Sequence, residues 1–246
     1  MYPKYSELVK GCLSIFVNFC LCFGALRNKL EVSMRISFVN SFWFLFSVTL
    51  NALGNSFMII SNLGSGPWTS AGENLVYVLP FSVGVCIIIL HLFSFLLSYF
   101  MKVKITMEVI VKSMALAVMF GAFIDLFLYI HQLLYVPEHT AARYIYLFIG
   151  LNLIAIAICI YFQASSIYLP TDFLLKAFGK LMKNYTLGTI VWTAIPLSIG
   201  VIIIIYRQQI NGIGLGTLLF MFGIGFLIDQ YNRWIVIQKT PDNLYV

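Results

Sequence analysis

Charged residues are scarce in this chain. Only 10% of its 246 residues are Asp, Glu, Lys or Arg, whereas 61% are hydrophobic. Soluble globular domains carry about a quarter charged residues, so this composition excludes an ordinary soluble protein. It predicts an integral membrane protein, with the lipid bilayer as its first partner.

Cysteine and catalytic motifs are also scarce. The five cysteines all lie in apolar stretches and lack ligand-like spacing with histidine. Neither a disulfide framework nor a metal site is expected, and no cofactor is indicated. The chain has no His-Glu-x-x-His, no Gly-x-Ser-x-Gly and no paired catalytic carboxylates. An enzyme is therefore not expected.

The charges that are present are mainly basic, with a net charge of +6. Six apolar runs separate them, and with the segment before the first run inside, only Arg143 and Arg207 fall in outside loops. The inside segments hold Arg27, Lys29, Arg35, Lys102, Lys104, Lys112, Lys176, Lys180, Lys183, Arg233 and Lys239. This is the positive-inside distribution of a membrane protein, and it explains the charge without a nucleic-acid partner.

The apolar runs have the length of membrane spans. A helix needs about 17–25 residues to cross about 30 Å of hydrocarbon. The runs are roughly 37–60, 81–101, 113–130, 144–162, 187–206 and 212–231. They predict an all-α polytopic protein with six transmembrane helices. Residues 8–26 leave two interpretations open: an additional helix, or an interfacial segment.

The spans form two similar halves. Asp125 and Asp229 are 104 positions apart, as are two glycine pairs, and Pro67 and Pro170 are 103 apart. The glycine pairs are Gly84 with Gly188 and Gly121 with Gly225. Because each half has three spans, the second half must enter the membrane from the opposite side, which predicts inverted repeats. The predicted units are an N-terminal extension over 1–33, a first repeat over 34–136 and a second repeat over 137–246.

Each half carries a Pro-led short helix after its first span. The first begins at Pro67-Trp68-Thr69 and the second at Pro170-Thr171. Irregular backbone can sit at membrane depth only where it is buried in protein or lines a cavity. Each segment is either re-entrant or surface-lying. As re-entrant segments, these residues would line a solute pathway.

Polar residues within or beside the spans are the candidate functional groups. A charged or imidazole side chain at this depth is costly, which makes it a candidate for function. The candidate coupling or gating residues are Asp125, Asp229, Asp172, Glu73 and His91. The alternative is structural: the aspartates could cap backbone or pair with Arg143 and Arg233, and His91 could be a neutral buried imidazole.

Asn51 and Asn55 share one face of the first span, because they are four residues apart. Interhelical hydrogen bonding is the simpler interpretation. The alternative is a polar cavity that forms part of the solute pathway.

These motifs resemble a known family. Gly64-Ser65-Gly66-Pro67-Trp68-Thr69, then Phe81-Ser82-Val83-Gly84 and Gly121-x-x-Ile124-Asp125-Leu126, is similar to the YczE/YyaS/YitT family of bacterial integral membrane proteins. The resemblance covers roughly 34–235. Members often have an acid after Pro-Trp; here Thr69 replaces it in the first copy, and Asp172 supplies it in the second. The resemblance implies a bacterial inner-membrane location and says little about a substrate.

Two functions of different classes follow. The first is a small secondary transporter or exporter of an unidentified small solute, working by alternating access. The second is a non-transporting scaffold or accessory protein that binds a partner protein or lipid. A homo-oligomer is compatible with either.

Overall fold

A computed structural model describes residues 38–103, 105–164, 167–183 and 185–237, and within these ranges the chain is all α-helical. The predicted extension over 1–33 lies outside the described residues. The helices are α1 Phe38–Ser61, α2 Pro67–Leu75, α3 Val83–Phe100, α4 Met107–Leu134, α5 Thr140–Ala164, α6 Pro170–Met182, α7 Tyr185–Arg207 and α8 Leu215–Asn232.

Five of these helices, α1, α3, α4, α5 and α7, are long and apolar enough to cross a membrane. The chain is therefore a multi-pass membrane protein, as its composition predicts. The helix α8 falls at the predicted sixth span, but it ends in the polar run Asp229-Gln230-Tyr231-Asn232. The count of six spans remains a prediction.

The centre of the fold is the pair α1 and α5, which pack along one another more extensively than any other two helices. Their backbones meet closely at Gly54 and Gly150. A Cβ atom on Gly54 would lie 2.9 Å from Gly150 O, and one on Gly150 would lie 2.7 Å from Gly54 O. Small residues permit such an approach between helices in lipid, where van der Waals packing drives association.

The remaining helices surround this pair. The helix α1 also packs against α4, and α5 also packs against α8. Each short helix contacts a span of the other half: α2 lies against α7 and α6 lies against α3. The two halves of the chain are therefore interlocked, and neither buries its surface alone.

One contact lacks a counterpart. The helices α3 and α4 pack against each other, whereas α7 and α8, at the matching positions of the second half, make no extensive contact. The outer faces of these helices are apolar. Phe222 is 80% exposed and Ile205 is 70% exposed. Such faces are suited to lipid contact, since hydrocarbon imposes no cost on exposed apolar side chains.

Candidate functional site

The short helix α2 is held inside the protein. Pro67 occupies its first position, where a missing N–H is tolerated. Gly64 precedes it with a φ of +104°, a conformation that favours glycine. Six of the nine residues of α2 are buried, and its Asn74 side chain donates to Asn211 O at 2.9 Å. The re-entrant or buried interpretation therefore fits α2 better than a surface location.

A polar chain links α2 to the first span. Thr69 Oγ1 donates to Asn55 Oδ1 at 2.6 Å, and Asn55 Nδ2 donates to Asn51 Oδ1 at 2.8 Å. Three residues predicted from two separate stretches thus form one network. The network satisfies the amides internally, which is the interhelical role expected as the simpler interpretation.

The short helix α6 buries its beginning and the Leu174 side chain. Pro170 and Thr171 are buried, while Lys176 and Lys180 are exposed. Its amphipathic basic face suits an anionic leaflet surface. The helix therefore lies at the protein surface along most of its length, with its Pro170 end inserted.

Asp172 caps this inserted end. Its Oδ2 atom accepts hydrogen bonds from Leu169 N at 3.2 Å and from Tyr161 Oη at 3.0 Å. Thr69 and Asp172 are each the third residue of their short helix, and each bonds a side chain of the preceding span. The first half thus has a neutral hydroxyl where the second has an acid.

Trp192 of α7 joins the two short helices. Its ring lies 5.8 Å from the ring of Trp68, between centroids, and its Nε1 donates to Thr171 O at 2.8 Å. Trp68 is the second residue of α2, and Thr171 is the second residue of α6. The beginnings of both short helices therefore meet at one side chain.

Asp125 caps a helix rather than pairing with a cation. Its Oδ1 accepts from Gly84 N at 2.8 Å, and its Oδ2 accepts from Ser82 Oγ at 2.5 Å. Both donors lie at the beginning of α3, where a carboxylate complements the positive end of the helix dipole. Arg143 instead donates to Pro137 O at 3.3 Å.

Asp229 has a different environment. It is exposed and accepts no hydrogen bond within the described ranges. It forms no salt bridge with Arg233, since the described residues contain one ion pair, Lys112 with Glu108. The two repeated aspartates thus have unlike surroundings although both end a Gly-x-x-Ile-Asp motif.

His91 is buried at the middle of α3, beside the ring of Phe120. Neither ring nitrogen has a hydrogen-bond partner among the described residues, and the same holds for Trp68 Nε1 and Ser70 Oγ. Buried polar groups without partners are costly, which distinguishes these positions from ordinary packing residues. His91 lies away from the Trp192 junction in sequence and has Ile195 at its matching position.

Two acids of the short helices have altered proton affinity. Burial raises the pKa of Glu73 to about 7, against a hydrogen bond from Ser65 that lowers it. Burial also raises the pKa of Asp172 to about 6, opposed by the Tyr161 and Leu169 hydrogen bonds and by Lys176. Both acids therefore gain or lose a proton near neutral pH.

Several residues of this site are not predictable from the sequence alone. Ser82 had a usable signal, because a serine directly before an apolar run is a typical N-cap. Tyr161, Trp192 and Asn74 had none, since each is one aromatic or polar residue in an apolar helix. Within the described residues, no three His, Cys, Asp or Glu side chains lie together as a metal site would require.

Comparison with known proteins identifies the family of this chain, and the function of that family is unknown. The model of a family of unknown function (DUF6198) matches residues 38–233. No curated protein and no solved structure matches the chain. The match does not carry the YczE/YyaS/YitT name, so that resemblance remains a prediction.

Proposed function

Because the chain belongs to the DUF6198 family, whose function is unknown, we propose its function from the geometry of its two short helices. The protein is a small secondary transporter or exporter in the bacterial inner membrane. It moves an unidentified small solute by alternating access between two inverted three-span repeats. Asp125 and Asp229 are the gating or coupling acids.

The junction at Trp192 carries this proposal. The beginnings of two Pro-led helices, one from each half, approach the same half-buried side chain, that of Trp192. In transporters built from inverted repeats, the binding site lies at the repeat interface, where broken helices present their N-terminal ends. The unpartnered Trp68 Nε1 at this junction adds a hydrogen-bond donor suited to a polar or anionic solute.

The helix contacts support the inverted arrangement. The pair α1 with α4 is matched by α5 with α8, and the pair α2 with α7 is matched by α6 with α3. Exchanging the halves leaves these contacts unchanged, as a two-fold axis in the membrane plane requires. The basic residues favour the side of Lys102 and Lys180 as cytoplasmic.

Reconstitution into vesicles tests the proposal. Purified protein is assayed with an enclosed pH-sensitive dye and a panel of small solutes, beside Asp125→Asn, Asp229→Asn and the matched control Glu108→Gln. Glu108 is an exposed acid paired with Lys112, so its change is expected to leave transport unaffected. Solute-dependent flux that falls in both Asp variants supports the proposal.

Two results would contradict it. Flux that is unchanged in both Asp variants removes their coupling role. No flux with any solute in the unmodified protein favours the alternative, a non-transporting scaffold or accessory protein that binds a partner protein or lipid.

A further inference from the structure

Asp125 holds α4 against the beginning of α3. We call the contact formed by Ser82, Gly84, Gly121 and Asp125 the Asp125 latch. Asp125 of α4 binds Gly84 N and Ser82 Oγ at the beginning of α3. One helical turn before Asp125, Gly121 meets Gly84 backbone to backbone: a Cβ on Gly84 would lie 2.1 Å from Gly121 O. A carboxylate cap and a glycine contact therefore close the seam between α3 and α4.

The residue types of this latch recur in the second half of the sequence. Adding 104 to each residue number of the latch gives Thr186, Gly188, Gly225 and Asp229. The hydroxyl residue, both glycines and the acid are all preserved in type. Repeated structure in the apolar helices does not require these four types, because most other positions differ between the halves.

The second latch is not formed in this structure. The helices α7 and α8 make no extensive contact. A Cβ on Gly225 would meet no atom within 4 Å, and Asp229 is exposed. Gly188 instead faces α6, where a Cβ would lie 2.5 Å from Gly179 N.

We propose that Asp229, Gly225 and Gly188 form a second latch that closes α8 onto α7 when the Asp125 latch opens. The proposal rests on the proposed function, and it identifies this structure as the state closed at the Asp125 end and open at the Asp229 end. In the other state, α8 lies against the beginning of α7, where Asp229 caps the free backbone N–H groups as Asp125 does at α3, and the seam between α3 and α4 opens. Two packings of similar energy are what alternating access needs.

The distance between α7 and α8 tests this directly. Spin labels are placed at Ile190→Cys and Phe226→Cys in a variant lacking the five native cysteines. Both positions are exposed, so the labels do not disturb the core. The distance between the two labels is measured by double electron–electron resonance in vesicles with no solute added. We expect a distribution with a major long distance and a minor short distance.

The two acids are expected to shift these populations in opposite directions. Asp125→Asn weakens the formed latch and raises the ratio of short to long distances about tenfold, while Asp229→Asn weakens the second latch and lowers that ratio about tenfold. Glu108→Gln is the control and leaves the distribution unchanged. A single distance that is the same in all four proteins overturns the proposal.

A third variant guards against misfolding. Gly225→Trp has space in the present state but blocks closure of the seam. Combined with Asp125→Asn, it is expected to suppress the short distance while the protein still elutes as one species. Closure that persists in this double variant also overturns the proposal. If the label distances change in the Asp variants but no solute flux is seen, the latch proposal holds and the transport proposal is refuted. If solute flux is seen but the label distances do not change, only the latch proposal is refuted.

Discussion

Thr69 on α2 and Asn55 on α1 share a buried hydrogen bond of 2.6 Å between the threonine hydroxyl and the amide oxygen. The bond fixes the third residue of the short helix to the first span. Thr69→Val keeps the shape of the side chain and leaves Asn55 Oδ1 unpaired. We expect a loss of about 1 kcal/mol in unfolding free energy.

Thermal denaturation in detergent measures this loss. Thr49→Val is the matched control, because the Thr49 hydroxyl bonds only the Leu45 carbonyl of its own helix. Equal effects of the two changes would show that the contact between helices contributes nothing of its own.

The close approach of α3 and α4 predicts a strong effect at Gly84. A Cβ there would lie 2.1 Å from a backbone oxygen, which no side-chain adjustment relieves. Gly84→Ala is expected to lower the melting temperature by several degrees and to reduce expression. Gly223→Ala is the control, since a Cβ at Gly223 meets nothing within 4 Å. A Gly84 variant as stable as the Gly223 variant would contradict this packing.

The raised pKa of Glu73 is expected to make the stability of the protein depend on pH. Burial raises its pKa from 4.5 to about 7, so the folded protein binds this proton more tightly than the unfolded chain. The stabilisation is complete below about pH 4.5 and is lost as the pH rises through 7. Melting temperatures between pH 5 and 8 are therefore expected to fall, and to fall less in Glu73→Gln.

Glu108→Gln is the control for that measurement, because Glu108 is an exposed residue. An identical pH slope in the native protein and in Glu73→Gln would show that another group is responsible.

Replacing Trp192 is expected to weaken the contact between the two short helices. Trp192→Phe keeps an aromatic ring beside Trp68 but removes the hydrogen bond to Thr171 O. We expect about 1 kcal/mol lower stability and a raised KM for any transported solute. Trp43→Phe is the control, since Trp43 lies among the phenylalanines of the exposed start of α1. A variant at Trp192 with unchanged KM and stability would exclude this junction as the binding region.

The inverted arrangement predicts which residues share a compartment. In a cysteine-free background, Lys102→Cys and Lys180→Cys are expected to react with an impermeant thiol reagent from the same side, and His139→Cys from the other. All three positions are exposed. Reaction of Lys102→Cys and Lys180→Cys from opposite sides would exclude inverted repeats.

Much of the helical framework is readable from local patterns. Pro67 and Pro170 begin the short helices as predicted, and the predicted bounds of the spans differ from the observed helix bounds by one to six residues. Apolar run length and proline position are local properties, so a single sequence carries them. The largest difference is α4, which begins at Met107 rather than 113, because the charged residues Glu108 and Lys112 lie in its first turns and interrupt the apolar run.

The candidate site was only partly predictable. Asn51, Asn55 and Thr69 were all identified, but their joining into one network depends on how α2 folds back on α1. The role of Asp125 as a helix cap was one of two interpretations, and only the position of Gly84 N decides it.

The amino-acid sequence by itself determined that this chain is a membrane protein, that its two short helices begin at proline, and that similar residues recur at a fixed spacing. These follow from apolar length, from proline and from identity at fixed spacing. Only the tertiary structure decided that Asp125 is bonded while Asp229 is exposed. The two acids end the same Gly-x-x-Ile-Asp motif, so their difference arises from whether the neighbouring helix is within hydrogen-bond reach, which packing alone sets.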